Sequence, residues 1–183
     1  MMNQTLEMLA LLLEYPGPEY DVLVQKCCSG IAADCQGSGE DSVPTFLGEF
    51  RTRVAGRERG DLEDLYTRTF DLNPVCSLDV GWHLYAENYD RGAFLVTMRG
   101  ELRRHGIAEM TELPDHLPLV LKLLSRMPME ERTALIGESI LPAMKKMIDG
   151  FRESDNPFLL LVKAVEAILL EAFHQQSGVS NHG

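Results

Sequence analysis

The chain has 183 residues, 45% of them hydrophobic and 25% charged, enough apolar surface for one core and too much for a wholly disordered polypeptide. Lys and Arg number 17 against 28 Asp and Glu, a net charge of −11 with histidine neutral, so nucleic acid and anionic lipid are repelled and a basic partner is favoured. Acidity of this size also serves solubility alone, and the two readings stand side by side.

The opening stretch, residues 1–15, is apolar but has no basic lead, carries Glu7 and Glu14, and shows no small-residue cleavage site, so it is not read as a secretory signal. The longest apolar runs, 8–13 and 158–162, fall far short of the roughly eighteen residues a bilayer span needs. A cytoplasmic location is the expectation.

Helical periodicity alternates with turn signals along the chain, and period-two strands are missing. Helices are expected over about 5–14, stopping before Pro16-Gly17-Pro18, then 19–29, then 43–55 after a Gly/Ser/Asp loop at 35–42. A fourth begins with Asp61 as N-cap, places Leu62, Leu65, Tyr66 and Phe70 on one side, and ends at Asn73-Pro74.

The next helix, 77–89, aligns Leu78, Trp82, Tyr85 and Tyr89 as an aromatic core stripe, and 91–105 turns Leu95, Met98 and Leu102 inward. In Leu113-Pro114-Asp115-His116-Leu117-Pro118, Asp115 is the natural N-cap of a helix over 119–126, able to reach the amide of Leu117 because Pro118 has no N–H. Helices over 129–137 and about 141–148 follow. Asn156 and Pro157 then cap a last helix with Phe158, Leu161, Val162, Val165, Ile168, Leu169 and Phe173 facing inward.

The expected architecture is all-α: a single globular bundle of roughly eight to ten helices, with one domain over 1–174 and a frayed polar tail over 175–183.

Cys27, Cys28, Cys35 and Cys76 match neither a paired CxxC zinc site nor a thioredoxin motif. They read as buried small hydrophobes, with a Cys27/Cys28/Cys35 metal or redox site as the alternative. Glycine-rich phosphate loops, GxSxG and HExxH are absent from the sequence.

The most enzyme-like set is Asp79, His83 and Glu87, one turn apart on the helix over 77–89. It reads as a solvated face, or, joined by Asp115 and His116 from elsewhere, as a metal-dependent hydrolase site. Arg91 pairs either with Glu87 four residues before it or with the Asp115-His116 corner. Six of the nine methionines, Met98, Met110, Met127, Met129, Met144 and Met147, fall in the second half. Such side chains suit a groove for an amphipathic helix, though at helical spacing they more often fill a core.

The run from Tyr66 through Phe70 and Asp71 to Leu72, the run from Trp82 through Tyr85, Glu87, Tyr89, Asp90 and Arg91 to Gly92, and Glu112-Leu-Pro-Asp115-His116-Leu-Pro118 together resemble the nitrate reductase delta-subunit (NarJ-type) family. These are redox-enzyme maturation chaperones related to the TorD/DmsD type.

The resemblance covers about residues 5–170. It implies a non-enzymatic, all-helical, cytoplasmic chaperone without a cofactor of its own. Such a protein binds the N-terminal leader of an immature molybdoenzyme catalytic subunit, supports molybdenum cofactor insertion, and touches that cofactor or its delivery proteins only transiently. Carried over by position, the client-binding residues are Tyr66, Phe70, Asp71, Tyr85, Glu87, Tyr89, Asp90, Arg91, Asp115 and His116. Asp71, Glu87 and Asp115 are expected to meet a basic leader, since burying them unpaired is unfavourable. No residue is assigned to a metal. Besides the hydrolase, the alternative is a helical adaptor subunit retained in the mature complex.

Overall fold

The computed structural model describes residues 2–35, 39–109, 111–152 and 155–177, and every regular element among them is helical. Five helices build the centre: α1 (Met2–Leu12), α2 (Tyr20–Asp34), α3 (Val43–Val54), α7 (Leu117–Arg126) and α10 (Pro157–Ser177). The most extensive contacts are α1 on α7 and α3 on α10.

Their sequences explain the pairing. In α10, Phe158, Leu161, Val162, Val165, Ile168 and Leu169 recur at helical spacing and all are buried. Its start is set by Pro157 at the first position and by the Asn156 Oδ1, which accepts the Phe158 N–H at 3.0 Å. In α7, Leu117, Val120, Leu121, Leu123 and Leu124 are fully covered.

An aromatic cluster joins these helices. The Phe158 ring centroid lies 6.0 Å from Phe50, 5.6 Å from Tyr66 and 5.3 Å from Phe70, the latter two edge-on, contacts worth roughly 0.5–1.5 kcal/mol each beyond burial. Helix α1 ends without a glycine cap, and two buried tyrosines take its place. The Tyr20 hydroxyl donates to the Leu12 carbonyl at 2.6 Å and the Tyr66 hydroxyl to the Leu13 carbonyl at 3.0 Å.

The remaining elements are α4 (Arg59–Tyr66), which runs into a π-turn at Thr67–Asp71, a 3₁₀ turn at Pro74–Cys76, α5 (Val80–Tyr85), α6 (Asp90–Arg104), α8 (Met129–Leu135), a second π-turn at Ile136–Ile140 and α9 (Leu141–Phe151). Helices α8 and α9 form one continuous rod rather than the two helices expected. Pro142, near the start of α9, lacks the N–H that a preceding carbonyl needs, and the backbone widens into a π-turn there.

Four local readings are corrected. The N-cap of α4 is Glu58, with Asp61 inside the first turn. The helix expected over 77–89 is only Val80–Tyr85, because Ala86 adopts φ 51° and ψ −126° and breaks it. The aromatic stripe therefore divides: Leu78 is buried, Trp82 and Tyr85 are half-buried, and Tyr89 is 91% exposed beyond the break. Finally, the N-cap position of α7 is His116, not Asp115.

The methionine reading resolves toward packing: Met98, Met127, Met144 and Met147 are buried, Met129 is exposed, and Met110 lies outside the described residues. All four cysteines are free, with Cys27, Cys28 and Cys76 buried. Burial, and then the neighbouring Cys27, push the Cys28 thiol up to about 12, which suits a packed thiol rather than a reactive thiolate. Part of the loop over 35–42, residues 36–38, and the end of the tail, 178–183, lie outside the described residues, and α10 continues to Ser177.

Candidate functional site

The Pro114–Pro118 corner and the start of α5 are clipped together by backbone. The Val80 N–H donates to the Asp115 carbonyl at 3.0 Å and the Leu117 N–H to the Leu78 carbonyl at 2.8 Å, an isolated antiparallel bridge centred on Asp79 and His116. Asp115 does not cap its own helix. Its carboxylate, with no exposed surface, accepts the Gly81 N–H at 2.7 Å and so caps α5 from 34 residues away.

Glycine is required at position 81. A Cβ there would lie 2.8 Å from the Asp115 Oδ2 and 2.9 Å from the Phe94 ring. Burial, and next the charge of Asp79, raise the Asp115 carboxyl above its ordinary range, while the Gly81 N–H and Arg91 oppose the shift.

Asp79 is the hub of this junction. Its Oδ1 lies 3.2 Å from the His116 Nδ1, and its Oδ2 accepts from the Arg91 guanidinium at 3.3 Å. Arg91 also sits over the Trp82 ring, 5.4 Å from its centroid. Arg91 pairs with neither Glu87 nor the corner itself but with Asp79, which in turn meets His116.

The Asp79/His83/Glu87 set does not converge. His83 is buried, its Nε2 donates to the Ser77 carbonyl at 2.7 Å, and burial lowers its pKa. Glu87 lies exposed beyond the helix break. These residues do not form the metal-binding face that the hydrolase alternative requires.

Beside the junction opens a cavity of about 340 Å³ lined by Glu14, Tyr15, Tyr66, Asp71, Thr111, Glu112, His116, Pro118, Leu119 and Lys122. Three elements supply its walls: the end of α1, the π-turn after α4, and the corner leading into α7. Glu14 and Tyr15 also border a second, more open groove of about 680 Å³ along the end of α1 and the start of α2, where Leu11, Tyr20, Val22 and Leu23 give an apolar lining. The two spaces share Glu14 and Tyr15, the first holding further carboxylates in Asp71 and Glu112 and the second carrying most of the apolar lining.

The electrostatics of the acidic end are unbalanced. Lys122 forms an ion pair with Glu14 across the α1–α7 seam, and among the described residues no Lys or Arg forms an ion pair with Asp71 or Glu112. Burial, and then the charge of Glu112, raise the Asp71 carboxyl above its ordinary range, with His116 pulling the other way. Burial also raises the Tyr66 phenol. Carboxylates held near each other without a full counter-charge favour an incoming cation.

The residues singled out in the sequence therefore divide. Tyr66, Asp71 and His116 line the cavity, Tyr66 showing it only an edge while it packs against Tyr15 and Phe70. Phe70 is buried against Phe151 and Phe158. Arg91 and Asp115 hold the junction behind the cavity, so Asp115 is placed to shape the site rather than to face solvent. Tyr85 packs on Phe94, with centroids 5.6 Å apart, while Glu87, Tyr89 and Asp90 are exposed at the α5–α6 break.

Sequence reasoning missed Glu14, Tyr15 and Lys122, which carry no local motif. The expected methionine lining is also not found, since among the described residues no methionine borders either space.

The family description "Nitrate reductase delta subunit" matches residues 38–162. Among curated proteins, the chain is 33% identical over 121 residues to the nitrate reductase molybdenum cofactor assembly chaperone NarJ of Escherichia coli strain K12, an alignment covering 66% of this chain and 50% of that protein. The NarJ of Escherichia coli O157:H7 matches equally. The probable nitrate reductase molybdenum cofactor assembly chaperone NarW of strain K12 is 27% identical over 164 residues, 88% of this chain and 66% of that protein. The chain thus spans about half the length of its NarJ relatives. Because the matched segment runs from before α3 into α10 and carries the cavity apart from its α1 wall, the chain belongs to the nitrate reductase delta subunit family.

Proposed function

We propose that this protein is an assembly chaperone that binds the N-terminal leader of an immature nitrate-reductase-type catalytic subunit and supports molybdenum cofactor insertion into it, without catalysing a reaction itself. The observation that carries the reading is the pair of neighbouring spaces at the end of α1, an apolar groove over Leu11, Val22 and Leu23 and the Glu14/Asp71/Glu112 cavity, which share Glu14 and Tyr15. An amphipathic leader helix matches it, with apolar residues along α1 and α2 and a basic end against the carboxylates. The net charge of −11 steers such a leader toward the site.

In this reading His116, Asp71 and Tyr66 contact the client. Asp115, Gly81, Asp79 and Arg91 fix the corner that presents His116, and the exposed Glu87, Tyr89 and Asp90 form an outer rim. The protein works in the cytoplasm, with residues 1–174 acting as one unit. No helix among the described residues is long and apolar enough to cross a membrane, in keeping with a client met before membrane attachment.

The test is copurification with the catalytic subunit before and after cofactor loading. The chaperone is expected on the cofactor-free subunit and absent from the loaded one; equal retention on both would instead mark an adaptor subunit of the finished enzyme.

A further inference from the structure

Outside the cavity, the end of α6 and the start of α8 bring together a second group of side chains. Glu101, His105 and Glu131 each offer one ligand atom, and these atoms all lie within 4.8 Å of one another. Glu101 and His105 are one turn apart on a single helix, which points both donors the same way, and Glu131 reaches in from α8.

The imidazole is the telling member. The side chain of His105 is 12% exposed, its Nε2 is buried without a hydrogen-bond partner, and the nearest Glu101 oxygen is 3.7 Å away, beyond hydrogen-bond reach. A buried ring nitrogen facing two carboxylates is an unmet donor or acceptor in a negative environment.

The backbone on both sides is already fixed. Helix α6 ends in a double turn closed by Gly106 at φ +67°, with the Ile107 N–H on the Leu102 carbonyl at 2.8 Å and the Gly106 N–H on the Arg103 carbonyl at 3.1 Å. Arg126 donates to the carbonyls of His105 and Gly106 at 3.2 and 3.1 Å. Helix α8 is tied down by Arg132, which donates to the Asn3 side chain and the Met127 carbonyl. Zinc holds nitrogen and oxygen ligands at about 2.0–2.2 Å, so the three donors, now within 4.8 Å of one another, have to draw together around the ion while the backbone stays in place.

We propose that Glu101, His105 and Glu131 form a binding site for one divalent first-row transition-metal ion, with water completing the coordination. One imidazole and two carboxylates suit zinc, cobalt or nickel better than calcium or magnesium. Arg104 is the built-in competitor: its guanidinium bonds both Glu101 and Glu131, so metal and arginine contend for the same carboxylates. Bound metal cross-links the exit of α6 to the entrance of α8. The site is independent of the client-binding reading.

The test is titration of the full chain with Zn²⁺ against a chromophoric chelator, and with Co²⁺ followed by absorption. One equivalent should bind, and the cobalt spectrum should show d–d bands without a thiolate charge-transfer band. His105→Ala and Glu131→Gln should each weaken binding at least tenfold, and Arg104→Gln should tighten it severalfold. Unchanged affinity in Glu131→Gln, a surface substitution that leaves the core intact, overturns the proposal, as does a thiolate band, which would place the metal on the cysteines.

Discussion

Helices α10 and α6 are both long, 21 and 15 residues, yet they are held in different ways. Helix α10 is buried along one whole side and locked into the Phe50/Tyr66/Phe70/Phe158 cluster. Helix α6 buries only Met98 and Leu102 and packs chiefly on α5. The polar junction of Asp79, Arg91 and His116 takes over part of the work that apolar packing does for α10. Stability therefore resides on the α1/α3/α7/α10 side, and the α5–α6 limb is positioned by directional bonds. The cavity lies where the two regimes meet, with one wall from α1 and α7 held by apolar packing and another from the corner and the π-turn held largely by directional bonds.

The largest effect that sharpens this contrast is Phe158→Ala, which should lower unfolding free energy by about 3–5 kcal/mol in urea denaturation. A loss no larger than that of a surface change would break the contrast.

Next comes Asp115→Ala, which strips the Gly81 N–H of its acceptor and leaves α5 uncapped. A loss of roughly 1–3 kcal/mol is expected, with weaker leader binding because the corner that presents His116 loosens.

Asp71→Asn should behave differently. A carboxyl whose pKa is raised by the fold binds more protons folded than unfolded, so the wild type loses stability as pH rises from the ordinary carboxylate range through the raised value. The asparagine variant escapes that loss. Paired denaturation curves should show it at least as stable as wild type at neutral pH, with the advantage gone at low pH, while its affinity for a basic leader falls.

The smallest effect belongs to the outer limb: Tyr89→Ala and Val96→Ala, at exposed positions, should change the unfolding free energy by no more than about 0.5 kcal/mol.

The two regions were also unequally legible. Helix α10 is written locally, by Asn156-Pro157 and an unbroken apolar period, and both its start and its buried face follow from those residues. The α5 region misleads because Leu78, Trp82, Tyr85 and Tyr89 satisfy helical spacing while Ala86, an alanine that favours helix, departs to positive φ. Asp115 reads as a local cap because short-range rules test only nearby amides, and the amide it serves is on another helix. Glu14 and Lys122 meet across 108 positions, a separation no pattern within one sequence encodes. Tyr66 and Asp71 were found because they share a motif; the α1 wall of the same cavity has none.

Isothermal titration of a synthetic leader peptide, run at low and high ionic strength on wild type and on Asp71→Asn, tests the acidic cavity as the client's docking point most directly. Affinity should fall with salt in the wild type, and the variant should bind about tenfold more weakly with a shallower salt slope. Equal affinity and equal salt dependence in the two proteins would contradict that docking point.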